Sequence, residues 1–418
     1  MKEMASRKIL LFLFAWMPLA VLGQGCDVEA VQRAEHVLHF VMHEQTDSIY
    51  DSFADDMRNV VTREQLKDGM KQIEQFAGAY REHGEWDVNR QDSLTVCSST
   101  CVFDNCELTI VMAFDEAWLL HGLRLMPVQD DTKTEPLAEG VMELTDTVRA
   151  ADGLALPCVI TLSGLSENPP VVVMVHGSGP LDRDETVMAN KPFRDLAHLL
   201  AQRGISSLRY DKRTFVSNEP VATVEEETIE DALAAVALAR TYNSNVFLLG
   251  HSLGAMLAPV IAKKTILKGI VMMAAPARDM EEVVCDQLEY LSAPDSSPEM
   301  KKQALEEMHR QVPQYFVPQH HVETACSMTL PMLLLQGERD YQVTMKDFHI
   351  WQEKLSKKKN VTLISYHALN HLFIPGEGPS TPQEYMKKGW ISEQVADDIA
   401  KFIFDHHTQT SNQKSQIK

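Results

Sequence analysis

Basic residues are in short supply in this chain. Its 418 residues carry 39 Lys and Arg against 59 Asp and Glu, a formal net charge of −20. A surface of that sign weighs against nucleic acid or an anionic membrane face as partner, and chiefly favours solubility. Long apolar runs are missing after residue 22, so no later segment is long enough to span a bilayer. Cysteine is sparse, with seven in all. Cys97, Cys101 and Cys106 cluster, but no histidine stands at metal-ligand spacing, which speaks against a zinc site. Cys285 and Cys326 bracket an insertion described below. A bond between them would staple its ends in an oxidising compartment; two unpaired thiols are the alternative. Internal repeats and low-complexity tracts are absent too, which removes repeat architectures.

What remains is the composition of a globular protein with a substantial core: 44% hydrophobic and 23% charged residues, over a length suited to two or three domains. Residues 1–23 have the form of a secretory signal. Lys2, Arg7 and Lys8 form a basic start, Ile9 to Leu22 is apolar but too short to span, and Val21-Leu22-Gly23 offers a small-residue cleavage site. This predicts an exported protein, periplasmic or secreted, with no stable membrane insertion once the signal is removed. Cys26 opens a lipoprotein alternative, weakened by Gly23-Gln24-Gly25, a poor lipobox. Residues 27–126 read as a separate unit. Val31, Ala34, Val37, Leu38, Val41 and Met42 follow helical spacing, and Thr62 with Gln65 makes a capping box for a second helix to about Tyr80. Strand-like runs follow at Trp86–Val96, Glu107–Phe114 and Trp118–Met126. In layout this unit resembles the small cone-shaped α+β domains of nuclear-transport-factor and cystatin-like folds. Ligand binding, homodimerisation and simple packing are the roles open to it.

A polar linker, residues 127–140, leads to residues 141–407. Two strands, Val141–Arg149 and Leu156–Leu162, are expected around the turn at Ala151-Asp152-Gly153. Strands at Val171–Val175, Ile205–Tyr210, Asn245–Leu249, Lys268–Met273, Met332–Gln336 and Asn360–Tyr366 then alternate with helices at Pro192–Arg203, Val224–Tyr242, Ser252–Lys264, Met345–Lys357 and Ile391–Phe404. Apolar β-branched runs separated by helices predict a mainly parallel sheet covered on both faces. A hairpin followed by such a sheet is the α/β-hydrolase layout. Residues 408–418 read as a frayed tail.

The chain is organised around Val246 to Ala258. Its apolar run ends in Gly250-His251-Ser252-Leu253-Gly254, a G-x-S-x-G, and a helical run follows. By itself the pattern is weak, since roughly one chain in seven of this length would carry it by chance. In a strand–turn–helix context it reads as a nucleophile elbow. The strained turn exposes a serine Oγ above the sheet, and the Leu253 N–H at the helix start points at a developing oxyanion. The third strand, Val171–Val175, ends in His176-Gly177-Ser178-Gly179-Pro180, whose Ser178 N–H is the second expected donor. Leu333 to Asp340 ends a strand and presents Asp340 as the acid, with Glu338 as rival. Leu369-Asn370-His371-Leu372-Phe373 offers His371 as the base, with His367 as alternative. The order Ser252, Asp340, His371 is that of the α/β hydrolases and excludes the chymotrypsin and subtilisin orders. His251 is read as structural, and Asp182 to Glu185 and Asp211 to Arg213 as salt-bridged loop supports.

Several separated motifs carry a more specific resemblance. His176–Pro180, Asp182-Arg183-Asp184-Glu185-Thr186, Asn190 to Leu196, Leu208 to Arg213, the elbow, Asp340-Tyr341-Gln342-Val343 and Leu369–Phe373 are similar to a bacterial serine carboxylesterase family of α/β hydrolases, over about residues 140–405. Ala255 departs from a third small glycine often found there. The resemblance implies hydrolysis of small-molecule esters of short to medium acyl groups through an acyl-enzyme, without metal or organic cofactor. A serine peptidase or acyltransferase on the same groups, and a non-catalytic binding protein, are the other readings. The insertion at 278–327 carries apolar residues at helical spacing and is expected to form a cap. Leu288, Tyr290, Met308, Tyr315 and Phe316 are its candidate acyl-pocket residues, against a plainer reading as cover for the core.

Overall fold

The computed structural model describes residues 28–91, 93–128, 137–217, 221–292 and 298–407. The signal at 1–23, Cys26, most of the linker and the tail at 408–418 lie outside them. No described helix is long and apolar enough to cross a membrane. The chain divides into two compact units, one within residues 1–134 and one within 135–418.

In the first unit, helices α1 (Val28–Met42), α2 (Thr46–Asp51), α3 (Asp55–Val60) and α4 (Arg63–Ala77) precede strands β1 (Tyr80–His83), β2 (Asp87–Gln91), β3 (Leu94–Phe103), β4 (Glu107–Phe114) and β5 (Leu120–Pro127). Helix α1 buries Ala30, Ala34, Val37, Leu38 and Val41, the stripe its spacing predicts. Helix α4 opens with the reciprocal Thr62–Gln65 capping box. The strands form an antiparallel sheet, β1–β3–β4–β5, with β2 also paired to β3. One expectation needs correction, and three short elements add to those expected. The run Trp86–Val96 is two strands, because the chain turns after Gln91 and β2 pairs back on β3 from Asp87↔Ser98 to Gln91↔Leu94. The short helices α2 and α3 and the strand β1 also form where periodicity gave no signal; six or four residues are too few to show one.

The second unit runs β6 (Val141–Arg149), β7 (Ala155–Ser163), β8 (Val171–Val175), α5 (Pro192–Ala201), β9 (Ser206–Tyr210), α6 (Arg213–Val216), a π-helical turn (Glu225–Ile229), α7 (Glu230–Tyr242), β10 (Val246–His251), α8 (Leu253–Lys264), β11 (Ile270–Met273), α9 (Met280–Leu291), α10 (Pro298–Gln311), a 3-10 turn (Pro313–Phe316), α11 (His321–Ser327), β12 (Met332–Gly337), α12 (Met345–Leu355), β13 (Val361–Tyr366) and α13 (Glu393–His406). Eight strands form one sheet in the order β13–β12–β11–β10–β8–β9–β7–β6. The hairpin β6/β7 and the β7/β9 pair are antiparallel, and the remaining pairs are parallel. The single helix read over Val224–Tyr242 starts as the π turn, with α7 following it.

Side-chain alternation explains why the central strands read as unbroken apolar runs. Val171, Val173 and Val175 of β8, with Val246 and Leu248 of β10, enter the core cluster that includes residues of α7, α8 and α12. Val172, Met174, Phe247 and Leu249 point the other way, into the cluster shared with α5 and α13. Both faces are dry, so neither set can be polar. The parallel order brings the C-terminal ends of β8, β10 and β12 to one edge, where the loops after them meet. Cys285 on α9 and Cys326 on α11 are free thiols, with no bond between them.

Candidate active site

Ser252 stands between the end of β10 and the start of α8 with φ 52° and ψ −116°. Such a backbone costs a non-glycine residue on the order of 1–3 kcal/mol and persists only where the surroundings enforce it. The enforcement is steric. A Cβ on Gly254 would lie 2.2 Å from the Val175 carbonyl oxygen and 2.6 Å from that of His176, and one on Gly250 would lie 2.2 Å from the Gly254 oxygen. Only glycine at both positions lets α8 pack against the end of β8. The Ser252 N–H donates to the Met273 carbonyl at 2.9 Å. Leu253 opens α8, and its N–H is among the first-turn donors with no carbonyl four residues back in the helix.

The loop after β8 is pinned on both sides of Ser178. The Gly177 N–H donates to Glu185 Oε1 at 2.8 Å, and the Gly177 carbonyl accepts from Lys212 Nζ at 2.9 Å. The Gly179 N–H donates to Tyr315 Oη at 2.9 Å. Between them, the Ser178 N–H makes no hydrogen bond to any described group. Two unengaged N–H groups, Ser178 and Leu253, thus belong to the loops that meet at the serine. Packing supports the meeting, since a Cβ on Gly177 would stand 3.3 Å from Ser252 Cβ.

Asp340 and His371 come together from the loops after β12 and β13, with His371 Nδ1 2.7 Å from Asp340 Oδ2. Both are buried, at 5% and 4% exposure. Asp340 is held in turn: Oδ1 accepts the Gln342 and Val343 N–H groups at 2.8 and 3.0 Å, and Oδ2 accepts Gln336 Nε2 at 3.2 Å. A carboxylate so bound directs the His371 proton to Nδ1 and leaves Nε2 as the acceptor. The His371 ring packs against that of His251, centroids 4.6 Å apart, and His251 adjoins Ser252. Ser252 Oγ makes no hydrogen bond to a described group. Catalytic hydrogen bonds of this kind often form only in the substrate complex.

The chain is similar to known proteins. Residues 172–359 match the family described as the alpha/beta hydrolase family. Residues 34–123 match one described as a protein of unknown function, DUF3887. Over 417 residues the chain is 36% identical to Esterase EstD of Thermotoga maritima, a match covering 95% of this chain and 99% of the relative. The chain belongs to the α/β-hydrolase family. Among solved structures, esterase Pf2001 of Pyrococcus furiosus aligns with a TM-score of 0.49 at 18% identity, over 64% of this chain and 92% of its own. Est1E of Butyrivibrio proteoclasticus aligns with 0.43 at 15% identity, over 63% and 98%.

In this α/β hydrolase the two rival residues find each other elsewhere. Glu338 accepts from Ser365 Oγ at 2.8 Å and stands 3.1 Å from His367 Nδ1, whose side chain is 96% exposed. They make a solvated pair, while Asp340 and His371 make the buried one. His251 does more than fill space. Its Nε2 donates to the His371 carbonyl at 3.0 Å. Its Nδ1 stands 3.0 Å from Glu185 Oε1, an ion-pair distance without hydrogen-bond alignment. Burial would raise Glu185 and lower His251, but their attraction wins: the carboxyl is held below its ordinary value and the imidazole above.

The expected acyl-pocket residues are scattered through the insertion. Leu288 on α9 and Met308 on α10 are half-buried. Tyr290 donates to the Ser380 carbonyl and stacks on Tyr341 at 5.2 Å. Phe316 stacks on His309 at 3.7 Å. Among the described residues only Tyr315 of the five is hydrogen-bonded to a loop around the serine, and its hydroxyl is committed to that bond and to Glu227. Arg183 pairs with Asp211, and Arg213 with Asp231, as loop braces. Glu227 escapes sequence reading altogether. It is the third of three consecutive glutamates, a pattern that reads as a solvated helix start, yet it is fully buried.

Proposed function

We infer that the protein is a serine ester hydrolase that works through an acyl-enzyme, with Ser252 as nucleophile, His371 as base and Asp340 as its orienting acid. The observation that carries this reading is the serine in an enforced positive-φ turn, next in the chain to His251, whose ring packs on a buried histidine with its Nδ1 bound by a carboxylate. His371 Nε2 takes the Ser252 proton as Oγ attacks the ester carbonyl carbon. The C=O electron pair moves to oxygen, and the oxyanion is met by the Ser178 and Leu253 N–H groups, each worth about 3–4 kcal/mol at the transition state. The tetrahedral adduct collapses, His371 passes its proton to the leaving alcohol, and the acyl group stays on Oγ. Water, deprotonated by His371, repeats the sequence and releases the acid. Asp340 stabilises the imidazolium in both halves. The relative named as an esterase supports the same substrate class.

Short to medium acyl groups are the expected substrates. The test compares p-nitrophenyl acetate, butyrate and palmitate with aminoacyl p-nitroanilides. Turnover of the short esters well above the palmitate and the anilides is expected. Preference for the anilides makes the protein a peptidase, and inertness towards all of them would leave a binding protein.

A further inference from the structure

The insertion reaches the oxyanion loop through a chain of buried polar groups. Tyr315, in the 3-10 turn after α10, accepts the Gly179 N–H at 2.9 Å and donates to Glu227 Oε1 at 2.6 Å. Glu227, on the π-helical turn, also binds Lys212 Nζ at 2.7 Å through Oε1 and Gln314 Nε2 at 3.1 Å through Oε2. Lys212 Nζ closes the circuit by donating to the Gly177 carbonyl at 2.9 Å. Glu227, Lys212 and Tyr315 are 0%, 2% and 7% exposed. A buried carboxylate and ammonium are tolerated only when paired and fully hydrogen-bonded, so each contact of this circuit is costly to break. Burial and the Glu227 carboxylate both raise the Tyr315 hydroxyl well above the ordinary phenol value, so it remains a neutral donor. The circuit grips the residue before Ser178 by its carbonyl and the residue after it by its N–H. Ser178 itself, left unbonded between them, is the one whose N–H must aim at the substrate.

We propose that Tyr315 is a positioning residue for the oxyanion hole, acting through Gly179 to aim the Ser178 N–H, with the Glu227–Lys212 pair as its buried anchor. This rests on the esterase reading above and assigns the insertion a role beyond covering the core. Tyr315 touches neither substrate nor the reacting atoms. Removing its hydroxyl frees the Gly179 peptide to rotate, and Ser178 turns with it. The loss then falls on the transition state, where the oxyanion exists, and spares ground-state ester binding.

The test uses the full chain and the variant Tyr315→Phe, which keeps the ring packing. Two readouts are compared with wild type. One is the inhibition constant of an alkyl trifluoromethyl ketone, which adds reversibly to the serine and places an oxyanion in the hole. The other is that of the matching alkyl methyl ether, which fills the same space and forms no adduct. The expected result is a kcat lower by roughly tenfold to a hundredfold with KM changed less than about threefold, since a whole donor is worth about a hundredfold to a thousandfold. The ketone should weaken in parallel with kcat/KM while the ether does not. Equal weakening of ketone and ether, or no change in either, overturns the proposal. Should Tyr315→Phe not fold, Glu227→Gln is read the same way, with the same selective loss expected and equal weakening again fatal. Failure of the esterase reading looks different: the wild type itself would neither turn over esters nor bind the ketone more tightly than the ether.

Discussion

Replacing Asp340 with asparagine removes one negative charge and almost no volume, and the surroundings dictate how the new side chain must sit. Its oxygen has to occupy the Oδ1 position, because the Gln342 and Val343 N–H groups donate to that point at 2.8 and 3.0 Å and an amide nitrogen there could not accept them. The amide nitrogen therefore faces His371 Nδ1, now 2.7 Å from a carboxylate oxygen, and Gln336 Nε2 at 3.2 Å. Gln336 is not free to flip, since its Nε2 also donates to the Val343 carbonyl at 2.8 Å. The amide N–H then donates to Nδ1, and the His371 proton moves to Nε2, the atom that must accept from Ser252. Enforcing the wrong tautomer is worth about 10⁴ in kcat in triads of this kind, or about 5.5 kcal/mol of barrier. Two opposed buried donors at Gln336 should also lower stability by about 1–3 kcal/mol. The assay is steady-state hydrolysis of p-nitrophenyl butyrate, with near-ultraviolet circular dichroism to verify folding. A folded Asp340→Asn protein that keeps kcat within about tenfold of wild type would refute the assignment of Asp340 and with it the tautomer argument.

Two other outcomes follow from contacts elsewhere in the same unit. His176 donates from Nε2 to the Asp182 carbonyl, and its Nδ1 is buried without a partner. Burial, with help from Lys212 and against Glu185, lowers its pKa from 6.5 to about 4. Between those values the unfolded chain binds a proton that the folded one refuses, so stability is full above 6.5 and drains as pH falls towards 4. The catalytic unit should lose about 2 kcal/mol between about pH 7 and about pH 5 on this account alone; urea midpoints at the two pH values should show that loss reduced in His176→Gln, and an unchanged loss would contradict it. The Glu338–His367 pair is solvated, so Glu338→Gln and His367→Ala should each leave kcat within a factor of about two, whereas a hundredfold loss in either would move the acid and base roles to them.

How much could be read ahead depended on where the determining contacts lie in the chain. The sheet was legible because β8, β10, β11 and β12 are buried on both faces, so burial itself writes continuous apolar runs. The strand–turn–helix at Ser252 was legible because its packing demands glycines two residues either side of the serine. The choice of Asp340 over Glu338 rested on the strand end, where Gly337 turns the chain and presents Asp340, and the structure separates the two by burial, 5% exposure against a pair in solvent. Short elements were lost: α2, α3 and β1 have too few residues to show a period, and the hairpin inside Trp86–Val96 was masked by the polar residues on both sides of its turn. Tyr315 was read as a pocket wall because an aromatic side chain in an insertion has no local mark of its hydroxyl's partner. That partner, Glu227, lies 88 residues away, and its burial is decided by Lys212 and Gln314 rather than by anything adjacent to it.

The most direct measurement is covalent trapping. The intact protein is incubated with a fluorophosphonate and the modified peptide is located by mass spectrometry, alongside Ser252→Ala. A single adduct on Ser252, with both labelling and ester hydrolysis abolished in the variant, is what this structure predicts. Ester hydrolysis that survives in a folded Ser252→Ala protein, or an adduct on any other residue, would contradict it.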